Sequence, residues 1–313
     1  MRHLIIAGSG TMGASMAQIF AGCDYKVTLY DIKAEALTAA RERIARSVET
    51  LKESGEMDDS HAQCILNNIE YTSDIICFRQ GEAVIENIVE NLEIKRRFYA
   101  EISQLTPDDT VIASNTSGLS INAMAEAVRL PERFIGMHWF NPPHLILLVE
   151  IIRGDRTSDQ TAQAIYDLCL AIGKKPVMVN KDVLGFAANR LQVALFREAL
   201  ALVDQGVVSP EGIDDVMKYG LGFRYACVGP MEIADLGGLD VWNHVSAYVA
   251  PDLCAETVMP QSITGRVERG ELGVKTGKGF YDYSEGQGEQ LVKERDRRMI
   301  AIYNALYKGN GKG

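Results

Sequence analysis

No apolar run in the 313 residues approaches the length of a membrane span, so a bilayer-crossing chain is not expected. There is no basic excess: 32 Lys and Arg stand against 42 Asp and Glu, a net charge of −10. A nucleic-acid footprint is usually basic, so that partner class is set aside, while a local basic pocket for a phosphorylated ligand stays open. The six cysteines, Cys23, Cys64, Cys77, Cys169, Cys227 and Cys254, are scattered and form no C-x-x-C pair. That pattern suits reduced thiols in a cytoplasm better than a disulfide framework or a zinc site, and no metal is expected. There is no internal repeat and no low-complexity tract except the Gly/Lys-rich last six residues, which we expect to fray. A glycine-rich motif from Gly8 leaves no room ahead of the fold for a signal or transit peptide, so a cytoplasmic location is expected.

What is present is an ordinary globular composition, 47% hydrophobic and 24% charged, at a length that allows two domains and a large core. The stretch HLIIAGSGTMGASMAQIFAGCDYKVTLYD divides into a strand at His3–Ala7, a helix opened by Gly8-x-Gly10-x-x-Gly13, and a second strand at Lys26–Tyr30 ending at Asp31. A lone G-x-G-x-x-G is weak evidence. Between strand and helix, with an acid closing the next strand, it is the dinucleotide fingerprint. Gly8 permits the tight turn, Gly10 lets backbone approach a pyrophosphate, and Gly13 allows close helix–strand packing. Asp31 would accept from ribose hydroxyls and repel a 2′-phosphate, so NAD is expected rather than NADP. The cofactor-binding set at this loop is Gly8, Ser9, Gly10, Thr11, Met12, Gly13 and Asp31.

Helical periodicity over about 33–68, interrupted near Glu-Ser-Gly-Glu at 53–56, predicts a helical hairpin. Arg41, Arg43, Arg46 and Lys52 in its first arm read either as a solvated face or as a grip on an anionic ligand. Further strands are expected at Ala83–Ile88, Thr110–Ala113, Phe134–His138, Leu147–Ile152 and Lys175–Val179, with helices through Leu105 and over about Ser158–Ile172. After that the pattern is helical only: 185–206, 210–219, 230–249 and 290–307. Alternating strands and helices followed by helices alone predict an α/β fold, a Rossmann-type doubly wound sheet domain followed by an all-helical domain. The expected boundary falls near Asp182, giving domains 1–182, with the hairpin inserted, and 183–313. Leu191, Leu195 and Leu202 form an apolar stripe on the long helix, which serves either a dimer interface or packing within its own domain.

In an open α/β sheet, ligands lie beyond the carboxyl ends of the strands. His138 ends one strand before an Asn-Pro-Pro turn, and Asn115, Thr116 and Ser117 follow an earlier one. A dehydrogenase needs a base for the hydroxyl proton, and histidine titrates near neutrality. Glu150, on the next strand, could hold its second nitrogen. On spacing alone, a structural histidine at a strand end is the commoner case.

At these residues the chain resembles the L-3-hydroxyacyl-CoA dehydrogenase family, most of all its single-function 3-hydroxybutyryl-CoA dehydrogenases. The resemblance runs nearly the whole length in ordered blocks: GSGTMG, AVIENIVENLEIK, ASNTSGLSI, RFIGMHWFNPP with LVEII, GKKPVMVNKDVLGFAANRL and GVKTGKGFYDY. It implies NAD-dependent interconversion of short L-3-hydroxyacyl-CoA and 3-ketoacyl-CoA. His138 would be the base and Glu150 its partner. Ser117, Asn141 and Asn189 would position substrate, with Ser117 and Asn189 at the reacting groups. Glu90, Lys95, Asn115, Ser117 and Lys275 would join the cofactor contacts. Ser47 would contact coenzyme A, and the helical domain would form a homodimer.

The sequence departs from the family pattern at Gly118, where many members carry serine, and at Leu184, where proline is common. It departs again at GLGFRYACVGPMEIADLGG (220–238), whose Arg224-Tyr225-Ala226 is similar to the L-gulonate 3-dehydrogenase (lambda-crystallin) branch. Two alternatives follow: an NAD-dependent dehydrogenase of a free hydroxy acid such as L-gulonate, or a silent NAD-binding structural protein.

Overall fold

Alternate residues of the first strand face two different cores. Leu4 and Ile6 pack with Phe20 and Leu29, while Ile5 and Ala7 pack with Val84 and Tyr99. A strand apolar on both faces needs cover on both, as in a parallel sheet flanked by helices. A computed structural model describes residues 1–284 and 286–307. In it this strand, β1 (His3–Ala7), belongs to an eight-stranded sheet with β2 (Lys26–Tyr30), β3 (Ile69–Thr72), β4 (Ala83–Glu86), β5 (Val111–Ser114), β6 (Phe134–Trp139), β7 (Leu148–Ile152) and β8 (Lys175–Val179). The order is β3-β2-β1-β4-β5-β6-β7-β8. Every neighbouring pair is parallel except β6 and β7. The chain order reverses between β1 and β4, which opens a crevice at their carboxyl ends.

Six helices accompany the strands: α1 (Thr11–Gly22), α2 (Ala34–Glu53), α3 (Asp59–Asn67), α4 (Leu92–Leu105), α5 (Ile121–Ala125) and α6 (Asp159–Ala171). The hairpin expected over 33–68 forms as α2 and α3. Leu37, Ala40, Ile44 and Val48 recur at helical spacing on the buried side of α2. The chain reverses through Gly55 at φ 73°, and Asp58 caps α3 by accepting from the His61 N–H at 2.7 Å. Two of its cations are already engaged. Arg41 lies over the Tyr71 ring at 4.5 Å, and Lys52 pairs with Glu49 and Asp59. Neither β3 nor α5 was expected. One has four residues with only Ile69 buried, the other has five, and both are too short for a periodic signal.

The chain divides into two compact units, the first Met1–Arg190 and the second from Leu191 onward. The first runs past the Asp182 expected from sequence because segment 183–190 folds onto it. Phe186 is 1% exposed within its core, and the Ala187 and Ala188 N–H groups bond to Glu150 of β7. Helix α7 (Ala188–Asp204) continues into the second unit. There α8 (Pro210–Val216), a π-helical turn at Met217–Leu221, α9 (Gly222–Tyr225), α10 (Pro230–Gly237), α11 (Leu239–Val249), α12 (Gln261–Glu268) and α13 (Gln287–Leu306) follow.

Gly238, at φ 89°, splits the single helix expected over 230–249 into α10 and α11. Among the described residues the second unit has no strand, only isolated bridges at Gly273–Lys278 and Lys278–Asp282. The architecture is the Rossmann-type sheet followed by helices that the pattern predicts. The expected fraying of the last six residues lies outside the described residues. Among those described, no helix is long and apolar enough to cross a membrane, and no cluster of His, Cys, Asp and Glu could hold a metal.

Candidate active site

The glycine loop joins β1 to α1 at the crevice. Its N-cap, Gly10, supplies no side-chain cap, and the first turn of α1 carries no acid, so the leading N–H groups and positive helix end stay available to an anion. The three glycines are needed for different reasons. A Cβ at Gly8, where φ is 97°, would lie 2.5 Å from the Asn87 carbonyl oxygen. At Gly13 it would lie 1.8 Å from the Gly8 carbonyl oxygen. At Gly10 it would meet no protein atom within 4 Å, so the bareness there serves whatever approaches from outside. Asp31 Oδ2 accepts from the Ser9 N–H and hydroxyl, each at 2.9 Å, and Oδ1 from the Lys33 N–H at 3.0 Å. The carboxylate therefore fixes the loop. Thr11 is exposed and Met12 half-buried at the first turn. The cradle, the open helix end and the acid at the end of β2 fit a dinucleotide carrying a free 2′-hydroxyl.

Antiparallel pairing of β6 with β7 sets His138 directly opposite Glu150. Directly opposed residues share a face, so the pair meets across the sheet. His138 Nδ1 lies 2.9 Å from Glu150 Oε2, and both side chains are buried. Phe140 and Phe186 flank the imidazole at ring-centroid distances of 4.3 and 5.6 Å. The other carboxylate oxygen accepts from the Ala187 and Ala188 N–H groups, each at 2.9 Å. Those donors are aimed by successive left-handed residues, Gly185 at φ 75° and Phe186 at φ 53°. A bulky residue in that region is costly, and its neighbours hold it there.

Burial opposes ionisation of Glu150. The hydrogen bonds from His138, Ala188 and Ala187 outweigh that and hold the carboxyl below its ordinary range. With the carboxylate ionised, Nδ1 is the donor, so in the neutral ring the lone pair sits on Nε2. No hydrogen bond among the described residues engages that nitrogen.

Past the ends of β4 and β5, a second set of groups converges. Glu90 Oε1 accepts from the Thr116 hydroxyl at 2.5 Å and the Ser117 N–H at 2.9 Å. Asn115 accepts from the Trp139 N–H at 2.8 Å and donates to Asn87 Oδ1 at 2.8 Å, bridging the ends of β4, β5 and β6. Asn189 donates to the Ser117 carbonyl at 2.7 Å. Lys95 Nζ is enclosed, 2.6 Å from Glu86 and 3.2 Å from Glu90, so it reaches this cluster through Glu90 and presents no ammonium at the surface.

The structure thus joins Glu90, Ser117 and Asn189 in one network and His138 with Glu150 in another, while Asn115 bonds to Asn87 and Trp139 at the neighbouring strand ends. Asn141 is exposed just after β6. Ser47 stands half-buried on α2, outside both networks, and Lys275 is exposed in a turn of the second unit. Sequence reasoning missed Glu86, the backbone donors at 187–188 and the anchoring role of Thr116. For Glu86 a signal existed, an acid ending the apolar run AVIE, just as Glu150 interrupts LVEII.

Comparison with known proteins places these features in a family. Residues 3–183 match the family model described as 3-hydroxyacyl-CoA dehydrogenase, NAD binding domain, and residues 185–283 match 3-hydroxyacyl-CoA dehydrogenase, C-terminal domain. The 5-formyl-3-hydroxy-2-methylpyridine 4-carboxylate 5-dehydrogenase of Mesorhizobium japonicum is 37% identical over 307 residues, 98% of each chain. A crystal structure of a dehydrogenase acting on that pyridine acid, described as an NAD+ dependent dismutase, superposes with a TM-score of 0.90 at 36% identity over 99% of each chain. That of (S)-3-hydroxybutyryl-CoA dehydrogenase from Ralstonia eutropha gives 0.77 at 34% identity, covering 91% of this chain and 100% of its own. With both family models in sequence order over a glycine loop built for a dinucleotide, the chain belongs to the 3-hydroxyacyl-CoA dehydrogenase family and is an NAD-dependent oxidoreductase.

Proposed function

We propose that the chain interconverts L-3-hydroxyacyl-CoA and 3-ketoacyl-CoA, with short acyl chains, and that His138 and Glu150 form its general acid/base pair. One observation carries the chemistry: a buried histidine held at Nδ1 by an ionised carboxylate, with Nε2 unengaged at the carboxyl end of β6. NAD, when bound, supplies the two-electron acceptor for the hydride from C3. His138 Nε2 takes the hydroxyl proton as the C3 carbonyl forms, and returns it in the reverse direction. Glu150 keeps the ring in the productive tautomer and stabilises the imidazolium, and such proton transfer is worth roughly 10²–10⁴-fold. Ser117, Asn189 and Asn141 position the hydroxyl and thioester, and Ser47 on α2 meets the coenzyme A portion. Gly8–Gly13, Asp31, Glu90, Asn115 and Lys275 hold the cofactor, with Lys95 acting through Glu90. We further infer that the unit Met1–Arg190, rather than 1–182, is the cofactor domain, and that the helical unit from Leu191 onward forms a homodimer.

A second reading has its own support. The pyridine-acid dehydrogenase matches this chain over 98–99% of its length, past residue 283 where the family models end, and at the higher TM-score. On that reading NAD takes hydride from a free hydroxy acid, or from the hydrate that water forms with a formyl acid, while the same pair takes the hydroxyl proton and coenzyme A plays no part. Arg224, exposed on α9, belongs to the divergent segment that would separate the two.

The deciding experiment follows reduced nicotinamide absorbance with acetoacetyl-CoA and NADH, with free acetoacetate and NADPH beside it, and L-gulonate or the pyridine aldehyde acid with NAD. Turnover confined to the thioester and NADH supports the first reading. Turnover of a free acid alone replaces it with the second. In either case His138→Gln should lose most turnover while still binding NADH, and Glu150→Gln should lower turnover and shift its pH dependence. Near-native turnover in His138→Gln would remove the base assignment.

A further inference from the structure

Glu86 ends β4 with 0% exposure and takes no part in the proton transfer above. Its Oε1 accepts from Lys95 Nζ at 2.6 Å and the Ile88 N–H at 2.7 Å. Its Oε2 accepts from the Ser114 hydroxyl at 2.8 Å and from the Tyr99 hydroxyl. A carboxylate has about four acceptor sites, so this one is saturated. Through them it ties the end of β4 to α4, by Lys95 and Tyr99, and to the end of β5, by Ser114. Its own carbonyl accepts from the Asn115 N–H at 2.9 Å.

The chain of contacts continues outward. Lys95, enclosed with Glu86, also holds Glu90 Oε2 at 3.2 Å. Glu90 in turn anchors the Thr116 hydroxyl at 2.5 Å and the Ser117 N–H at 2.9 Å. Burial and the neighbouring Glu86 charge push the Tyr99 phenol well above its ordinary value, so it stays a donor. A buried ion pair is a poor source of stability, because desolvation offsets the attraction of the charges. Direction is what such a pair supplies, since each saturated oxygen fixes where its donor points.

We propose that Glu86 is a positioning residue of the dehydrogenase site: together with Lys95 it sets Glu90, and thereby fixes the Thr116–Ser117 turn toward cofactor and substrate. The inference rests on the reading of Glu90 and Ser117 as facing those ligands. It assigns a role to Glu86, Tyr99 and Ser114, which touch neither ligand in that reading.

Glu86→Gln preserves shape and removes the charge that balances Lys95, leaving the ammonium to draw on Glu90 alone. Three quantities are measured on wild type and variant: NADH affinity by its fluorescence, kcat and KM with whichever substrate the wild type turns over, and the thermal midpoint. In a folded variant, NADH binding weakens and kcat falls, each by about tenfold, as expected when groups that orient reactants are misplaced. Tyr99→Phe keeps the ring and the ion pair and shows a smaller loss in the same direction, about threefold. It decides the matter should Glu86→Gln fail to fold. A lowered thermal midpoint with NADH affinity and kcat both within about twofold of wild type would mean a purely structural role and overturn the proposal. Failure of the site reading looks different: the wild type would bind no NADH, or His138→Gln would turn over normally.

Discussion

At the scale of single residues, the glycine loop separates two demands that a sequence motif merges. Gly13 is bare because its own fold leaves no room, whereas a Cβ at Gly10 would meet no protein atom within 4 Å, so on the proposed reading its bareness serves the cofactor. Gly13→Ala should therefore lower the thermal midpoint and cost NADH binding as a consequence. Gly10→Ala should leave the midpoint within about 2 °C, since surface changes away from strain cost little, and weaken NADH binding by about tenfold or more. Calorimetry beside a fluorescence titration reads both, and equal loss of stability in the two variants would contradict the distinction. The motif, Asp31 and His138 stood out in sequence because each sits where a strand ends. Glu86 left a signal, an acid ending AVIE, but not its partners, and the donors at 187–188 left none. A buried acid acquires its meaning from partners distant in sequence, and backbone N–H groups have no letter at all.

At the scale of elements, the antiparallel turn from β6 to β7 brings His138 opposite Glu150, and the loop between them is held from β8's side. Lys174, just ahead of β8, is buried; its ammonium donates to the Ile146 carbonyl at 2.8 Å and to the Pro143 carbonyl, and lies over the Trp139 ring at 4.9 Å. Burial lowers its pKa to about 8. Unfolded lysine titrates near about 10.4, so between those values the unfolded chain binds more protons than the folded one. Stability attributable to this lysine therefore rises as pH climbs through that window, and is lost as pH falls toward about 8. Denaturant midpoints of wild type and Lys174→Met, compared from pH 7.5 to about 10.5, should diverge in favour of wild type as pH rises. A constant difference would mean that Lys174 keeps its ordinary pKa.

Elements with long apolar or periodic runs were legible within a few residues. The four-residue β3, the five-residue α5 and the break at Gly238 were not, because their existence depends on neighbours and on backbone angles.

At the scale of the molecule, the change from alternating strands and helices to helices alone was readable from periodicity, since it depends on long segments. Whether a surface meets a second copy was not, since an apolar stripe serves either purpose. Leu191 and Leu195 on α7 remain 68% and 45% exposed, which supports the dimer reading. Light scattering should give twice the 34.4 kDa chain mass for wild type and the single-chain mass for the double variant Leu191→Asp/Leu195→Asp. A wild type that runs at the single-chain mass would refute the dimer.

The placement of His138 and Glu150 in one pairing register also separates the pair from the loop that joins their strands. The two side chains are aligned by the strand register, and of the intervening segment 140–147 the Phe140 ring packs against the imidazole while Asn141 is exposed. On the proposed reading, loops transplanted from other dehydrogenases should retune which molecule is recognised while the pair stays aligned, provided that Phe140 is kept and carbonyls remain for Lys174 to grasp.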